Sequence, residues 1–142
     1  MNRIEWKYSR GFTLIELLVV LVILGLLAGL VGPRVMKYLG SANTDTARVQ
    51  LEQLGSALEM YRIDVGRYPS SSEGLRALVQ APSGGGRWNG PYLRKDVVPK
   101  DPWGNDYQYR YPGEHGDFDL YTHGADNAPG GDGENQDILS WQ

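Results

Sequence analysis

Two places in this 142-residue chain hold residues able to do chemistry. The first is a loop near the C-terminus. From residue 111 onward there are seven acids, Glu114, Asp117, Asp119, Asp126, Asp132, Glu134 and Asp137, and no lysine or arginine. Acids this close repel one another, so either water solvates them or a cation sits among them. Asp126 to Asp137 reads DNAPGGDGENQD, with glycine at the sixth place and an acid at the twelfth, as in an EF-hand. Its third and fifth places are Ala128 and Gly130, which offer no side-chain oxygen, so it is not an EF-hand. Gly130-Gly131-Asp132-Gly133 has the look of one turn of a calcium-binding β-roll, but a single copy has nothing to stack on. What remains is a glycine-rich acidic loop. Calcium takes roughly six to eight hard oxygens, which carboxylates and inward-turned carbonyls can supply.

The second place is Glu16. It lies four residues into an apolar run from Phe12 to Val31, where only Thr13 and Glu16 are clearly polar. An ionisable group inside a bilayer costs about 2.5–3.5 kcal/mol on insertion scales and is usually paired or functional. Elsewhere the chemistry is sparse. There are no cysteines, and the two histidines, His115 and His123, have no partner at helical metal-ligand spacing. No G-x-S-x-G occurs. The Pro82–Gly86 glycine loop lacks the Lys-Ser/Thr of a phosphate loop. A net charge of -3 gives no basic excess for nucleic acid.

The elements that position these residues follow from periodicity. As an α-helix the Phe12–Val31 run rises about 30 Å, enough to cross a bilayer. Arg3, Lys7 and Arg10 precede it against a single Glu5, which places the N-terminus in the cytoplasm. The run is too long for the core of a secretory signal peptide, and no A-x-A cleavage site follows it. Pro33, after Gly25, Gly29 and Gly32, predicts a kink or local melting between Leu26 and Pro33. Helical periodicity then resumes: Ala47, Leu51, Leu54, Leu58, Tyr61 and Val65 form one apolar stripe, with Arg48/Glu52 and Glu59/Arg62 at pair spacing. The helix should end near Gly66, before Pro69. Ser70 and Glu73 have capping-box spacing ahead of a short helix. Asp101-Pro102-Trp103-Gly104-Asn105 is a turn. Tyr107, Tyr109 and Tyr111 alternate as a strand, and Phe118 to Thr122 is its partner. The fold class is α+β, one long helix backed by a small antiparallel sheet.

Gly11-Phe12-Thr13-Leu14-Ile15-Glu16, after a short basic leader and before a long apolar helix, resembles the class III signal of type IV pilins and type II secretion pseudopilins. The likeness continues through Tyr68-Pro69 with Glu73-Gly74-Leu75, then Asp101–Asn105 with Tyr107, then Pro112–Gly116 with Phe118-Asp119-Leu120. It takes in Gly124-Ala125-Asp126 and Asp137-Ile138 with Trp141. Together these look like the major (G-type) pseudopilin of type II secretion. The absence of cysteine agrees, since type IV pilins commonly carry a C-terminal disulfide loop.

The resemblance implies a type IV pilin-like fold with a leader at 1–11, a membrane and assembly helix at 12–33, and a periplasmic globular domain at 34–142. It implies cleavage by a prepilin peptidase between Gly11 and Phe12 and methylation of the new Phe12 amine. Phe12, Glu16 and Pro33 become assembly positions, with the Glu16 carboxylate meeting the N-terminal amine of a neighbouring subunit. A calcium ion is implied in the acidic loop. Its side-chain ligands would be Asp126 and Asp137, its carbonyl ligands those of His123 and Ala128, and Asp132 the weaker candidate. The implied protein is not an enzyme. It is an inner-membrane, single-pass subunit of a homopolymer, the periplasmic pseudopilus, working with minor pseudopilins and an inner-membrane assembly platform to export folded proteins. The alternatives are a type IV pilin, a minor pseudopilin, or a membrane-anchored periplasmic calcium-binding protein or enzyme.

Overall fold

A computed structural model describes residues 11–84 and 86–142. Of the expected leader only Gly11 lies within these residues; the rest of that segment, 1–10, lies outside them. The chain divides into two compact units, one ending at Tyr38 and the other Leu39–Gln142.

One helix, α1 (Leu14–Val65), enters both units. Up to Leu39 every large apolar side chain on it is exposed, and none of the apolar window that could cross a membrane is buried. The helix is unbroken through Pro33, so of the kink or local melting expected there, the melting does not occur. The proline removes one hydrogen bond, and the turns on either side, long and uninterrupted, carry the helix across it. Beyond Leu39 the pattern changes to one face. Ala47, Leu51, Leu54, Leu58 and Tyr61 are buried as the stripe requires, joined by Ala57, while Val65 is half-buried. The helix stops where expected. Gly66, at φ 88°, donates its N–H to the Arg62 carbonyl at 2.8 Å, the left-handed cap that glycine adopts without strain. Of the two expected ion pairs on the solvent side of this half, Glu59 and Arg62 meet at 2.9 Å. Arg48 instead takes Asp45, at 3.5 Å, rather than Glu52. Both acids are within helical reach of an exposed arginine, and such pairs differ in energy by only tenths of a kcal/mol, on the order of the pair itself.

The Ser70–Glu73 box forms in both directions. Ser70 N–H donates to Glu73 Oε2 at 2.7 Å, and Glu73 N–H to Ser70 Oγ at 3.2 Å. The turn it opens runs into a 3-10 helix, Gly74–Leu78, that buries Leu75, Ala77 and Leu78 on the domain core. Arg67 adds a two-pronged bond to the Glu73 carboxylate, at 2.7 and 2.8 Å. That guanidinium, with the Ser70 N–H, holds the Glu73 carboxyl down at about 2.

The sheet has three antiparallel strands in the order β1 (Gln108–Arg110), β2 (Asp119–Thr122), β3 (Ile138–Leu139). Tyr109 lies opposite Leu120, and Thr122 opposite Ile138. The tyrosine alternation is as expected: Gln108 and Arg110 are exposed, and Tyr107 and Leu120 join the core against α1. β3 was not foreseen. It consists of two residues, and it returns the chain from the acidic loop to the central strand.

Candidate functional site

At the start of α1, Thr13 and Glu16 form a capping box. Thr13 N–H donates to Glu16 Oε2 at 2.8 Å, and Glu16 N–H to Thr13 Oγ1 at 3.3 Å. The expected role of Glu16 is assembly; its part in capping the helix is an addition. Its spacing from Thr13, the same as that of Ser70 from Glu73, was the signal that could have found this role. Two of the four N–H groups that a helix start leaves orphaned are thereby satisfied. Glu16 Oε1 is left over from the box.

The acidic loop is built on a frame of buried polar groups. Asp101 is buried. Its Oδ1 accepts from the N–H groups of Trp103 (3.1 Å) and Asn105 (2.7 Å), closing the Asp101–Asn105 turn. Its Oδ2 accepts from the Thr122 hydroxyl at the end of β2. Thr122 Oγ1 in turn accepts the Gly124 N–H at 3.3 Å, and Asn105 Nδ2 donates to the Gly124 carbonyl at 3.0 Å. So the Asp-Pro-Trp-Gly-Asn turn and the base of the C-terminal loop are one hydrogen-bonded unit. Nothing in their sequence separation announces that.

From this base the loop doubles back. Ala125 N–H donates to the Glu134 carbonyl at 2.8 Å. Gly124 has φ 70°, and a Cβ there would lie 2.5 Å from the Glu134 carbonyl oxygen, so only glycine fits the closure. Asn127, at φ 51°, occupies the left-handed region that asparagine tolerates better than most residues.

The candidate ligands fall on the two arms of this closure. Asp137 is half-buried; its Oδ1 lies 3.1 Å from His123 Nδ1, and its Oδ2 accepts the Gly130 N–H at 2.9 Å. His123 and Asp137 are therefore together, by the imidazole ring as well as by position. Asp126 is exposed, and its Oδ1 accepts the Ala128 N–H at 3.1 Å. Asp132 is exposed and caps the Gly133–Asn135 turn through its backbone carbonyl. Among the described residues no three His, Asp or Glu side chains gather tightly enough to enclose an ion by themselves. No donor among the described residues reaches the carbonyls of His123 or Ala128. The expected ligands are two carboxylates and two carbonyls carried on the two arms of the closure. That chemistry suits a hard cation such as calcium, with water completing the shell.

Two residues outside the expected set shape the region. Glu134 reaches from the loop to α1 and to the Trp103 indole. Asp119, buried at the start of β2, accepts the N–H groups of Glu114 (2.9 Å) and His115 (3.1 Å) and holds the β1–β2 turn. His115 then stacks flat on Trp141, with ring centres 4.2 Å apart.

With this geometry in view, the likenesses to known proteins are specific. Residues 6–32 match the model described as the prokaryotic N-terminal methylation motif. Residues 34–141 match the model of type II secretion system protein G. The chain is 48% identical to the type II secretion system core protein G of Pseudomonas aeruginosa over 139 residues, covering 95% of this chain and 96% of the relative. It is 44% identical to the protein of the same name in Vibrio cholerae, over 96% of this chain and 94% of the relative. Among solved structures, the major pseudopilin from the type 2 secretion system of enterohaemorrhagic Escherichia coli matches with a TM-score of 0.61 and 37% identity, covering 75% of this chain and 92% of the other.

Proposed function

The chain belongs to the type II secretion system protein G family, and from that premise we propose that it is the principal subunit of a periplasmic pseudopilus, a structural part and not a catalyst. The observation that carries this reading is the unburied first half of α1. The apolar helix from Leu14 to Val31 has no cover of its own, and its length is on the order of one bilayer crossing. Such a surface is stable only in lipid or against other apolar helices. A subunit that waits in the inner membrane and later packs its helix among copies of itself has a use for both.

In this reading a prepilin peptidase removes residues 1–11 and methylates the Phe12 amine. Glu16 then has two tasks. Oε2 caps the helix start, and Oε1 meets the Phe12 amine of the next copy, since a low-dielectric site rewards a paired charge and penalises a lone one. Pro33 lies where the membrane helix passes into the periplasmic domain, 34–142. Minor pseudopilins and the inner-membrane assembly platform are the partners. In the periplasm, calcium occupies the closed loop, held by Asp126, Asp137 and the carbonyls of His123 and Ala128, with Asp132 the least supported candidate. The ion supplies positive charge to a region without a lysine or arginine of its own.

The test is the intact mass and N-terminal sequence of the protein made with an active prepilin peptidase. A chain beginning at methylated Phe12, with Gly11→Ala left uncut and unassembled, is the expected result. A chain still beginning at Met1, beside a control substrate that is cut, overturns the reading.

A further inference from the structure

Among the described residues, one side chain of the acidic loop hydrogen-bonds to the helix. The loop's short turn, Gly133–Asn135, carries Glu134 to α1. There Glu134 Oε1 accepts from Asn43 Nδ2 at 3.2 Å and from the Trp103 indole N–H at 3.3 Å. The stem of the side chain lies on Gly40, which is buried while its neighbours Leu39 and Ser41 are exposed. A Cβ at position 40 would lie 2.6 Å from Glu134 Cγ and 2.9 Å from Cδ, well inside the distance at which carbons attract. Glycine weakens a helix interior, so a glycine here is a cost that the close approach of Glu134 offsets. The same residue's backbone carbonyl accepts from Ala125 and closes the loop. Glu134 thus faces two ways, main chain to the loop and side chain to the helix.

We propose that Glu134 is a positioning residue that couples cation binding in the Asp126–Asp137 loop to docking of that loop on α1 at Gly40 and Asn43. The proposal rests on the calcium reading above. A cation that fixes the loop fixes the turn that presents Glu134. Docking of Glu134 in turn restrains the loop before the cation arrives. By linkage each event favours the other by the same factor. Glu134 is placed as a positioning residue and not as a ligand because its Oε1 faces Asn43 and Trp103, both outside the loop.

The test uses the full chain in detergent micelles. Calcium affinity is measured by calorimetry and the Trp103 indole N–H is followed by NMR. Wild type is expected to bind calcium with a change in the Trp103 signal. Gly40→Ala touches no proposed ligand, yet it should bind calcium about five-fold or more weakly and lose the Trp103 response. Asn43→Leu should shift both readouts in the same direction, so the result does not hang on the folding of one variant. Glu134→Gln keeps the acceptor oxygen and should stay near wild type. Gly40→Ala and Asn43→Leu binding calcium as tightly as wild type would overturn the coupling and leave the calcium reading intact. Loss of binding in Glu134→Gln with Gly40→Ala unaffected would make Glu134 a ligand and overturn the positioning role. A wild type that takes no calcium removes the calcium reading first and the coupling with it.

Discussion

The two halves of α1 are one helix by backbone and two by solvent. From Leu14 to Leu39 the large apolar residues lie all round the helix and none is covered by the chain. From Ala47 to Tyr61 an apolar stripe lies on one face and is covered, while Val49 and Met60 stand off it exposed. The same contrast appears in the two capping boxes. Thr13/Glu16 and Ser70/Glu73 have the same spacing and the same pair of bonds. Among the described residues only the second has an arginine on its carboxylate and a core beneath its turn. The lesson is that a periodic pattern says which face is buried only when the burying partner is in the same chain. Where it is elsewhere, the pattern is a uniform run and the partner must be sought outside.

A matched pair of truncations separates the two halves of the helix most directly. Leu58→Ala in the covered half should destabilise the Leu39–Gln142 unit by about 2–5 kcal/mol, while Leu24→Ala should leave its denaturant unfolding midpoint unchanged. Equal effects on tryptophan-detected unfolding would mean that the two halves are not independent.

The next effect comes from the box that is reinforced. Glu73→Gln should cost the domain on the order of 1–2 kcal/mol at neutral pH, through the lost charge-assisted bonds. Because the Glu73 carboxyl is held at about 2 against an ordinary 4.5, its contribution is full above about 4.5 and disappears as the pH falls through about 2. Acid unfolding curves of wild type and Glu73→Gln should therefore converge towards pH 2. Curves that stay parallel would show that the Arg67 pair adds nothing. The smallest effect is expected at Tyr61, whose hydroxyl is buried without a partner among the described residues. Tyr61→Phe should be neutral or stabilising by up to about 1 kcal/mol, and a clear loss in melting temperature would reveal a partner for that hydroxyl.

What could be read from sequence was whatever is periodic or local. The stripe from Ala47 to Tyr61, the alternation from Tyr107 to Tyr111, the Gly66 stop and the Ser70–Glu73 box are each recognised within one short, continuous stretch of chain. β3 escaped because two residues have no period. The choice of Asp45 over Glu52 by Arg48 escaped because spacing permits both. Glu134 escaped for a different reason: its amide partner Asn43 is 91 positions away, and no local rule spans that distance. At the candidate site the sequence indicated acids and glycines in one loop. It did not show that the Asp101–Asn105 turn is the floor on which the loop is built, because that union is made by Asp101, Thr122 and Asn105 across the fold.

The sheet has a consequence of its own. Its outer strands are three and two residues long. An open strand edge is where a stray chain adds itself, and long, flat, apolar edges are the starting points of amyloid-like growth. Here β1 offers an edge bearing Gln108 and Arg110, and β3 ends almost as soon as it begins. A pseudopilus subunit brought among its copies is thus denied the commonest wrong way to join its neighbours.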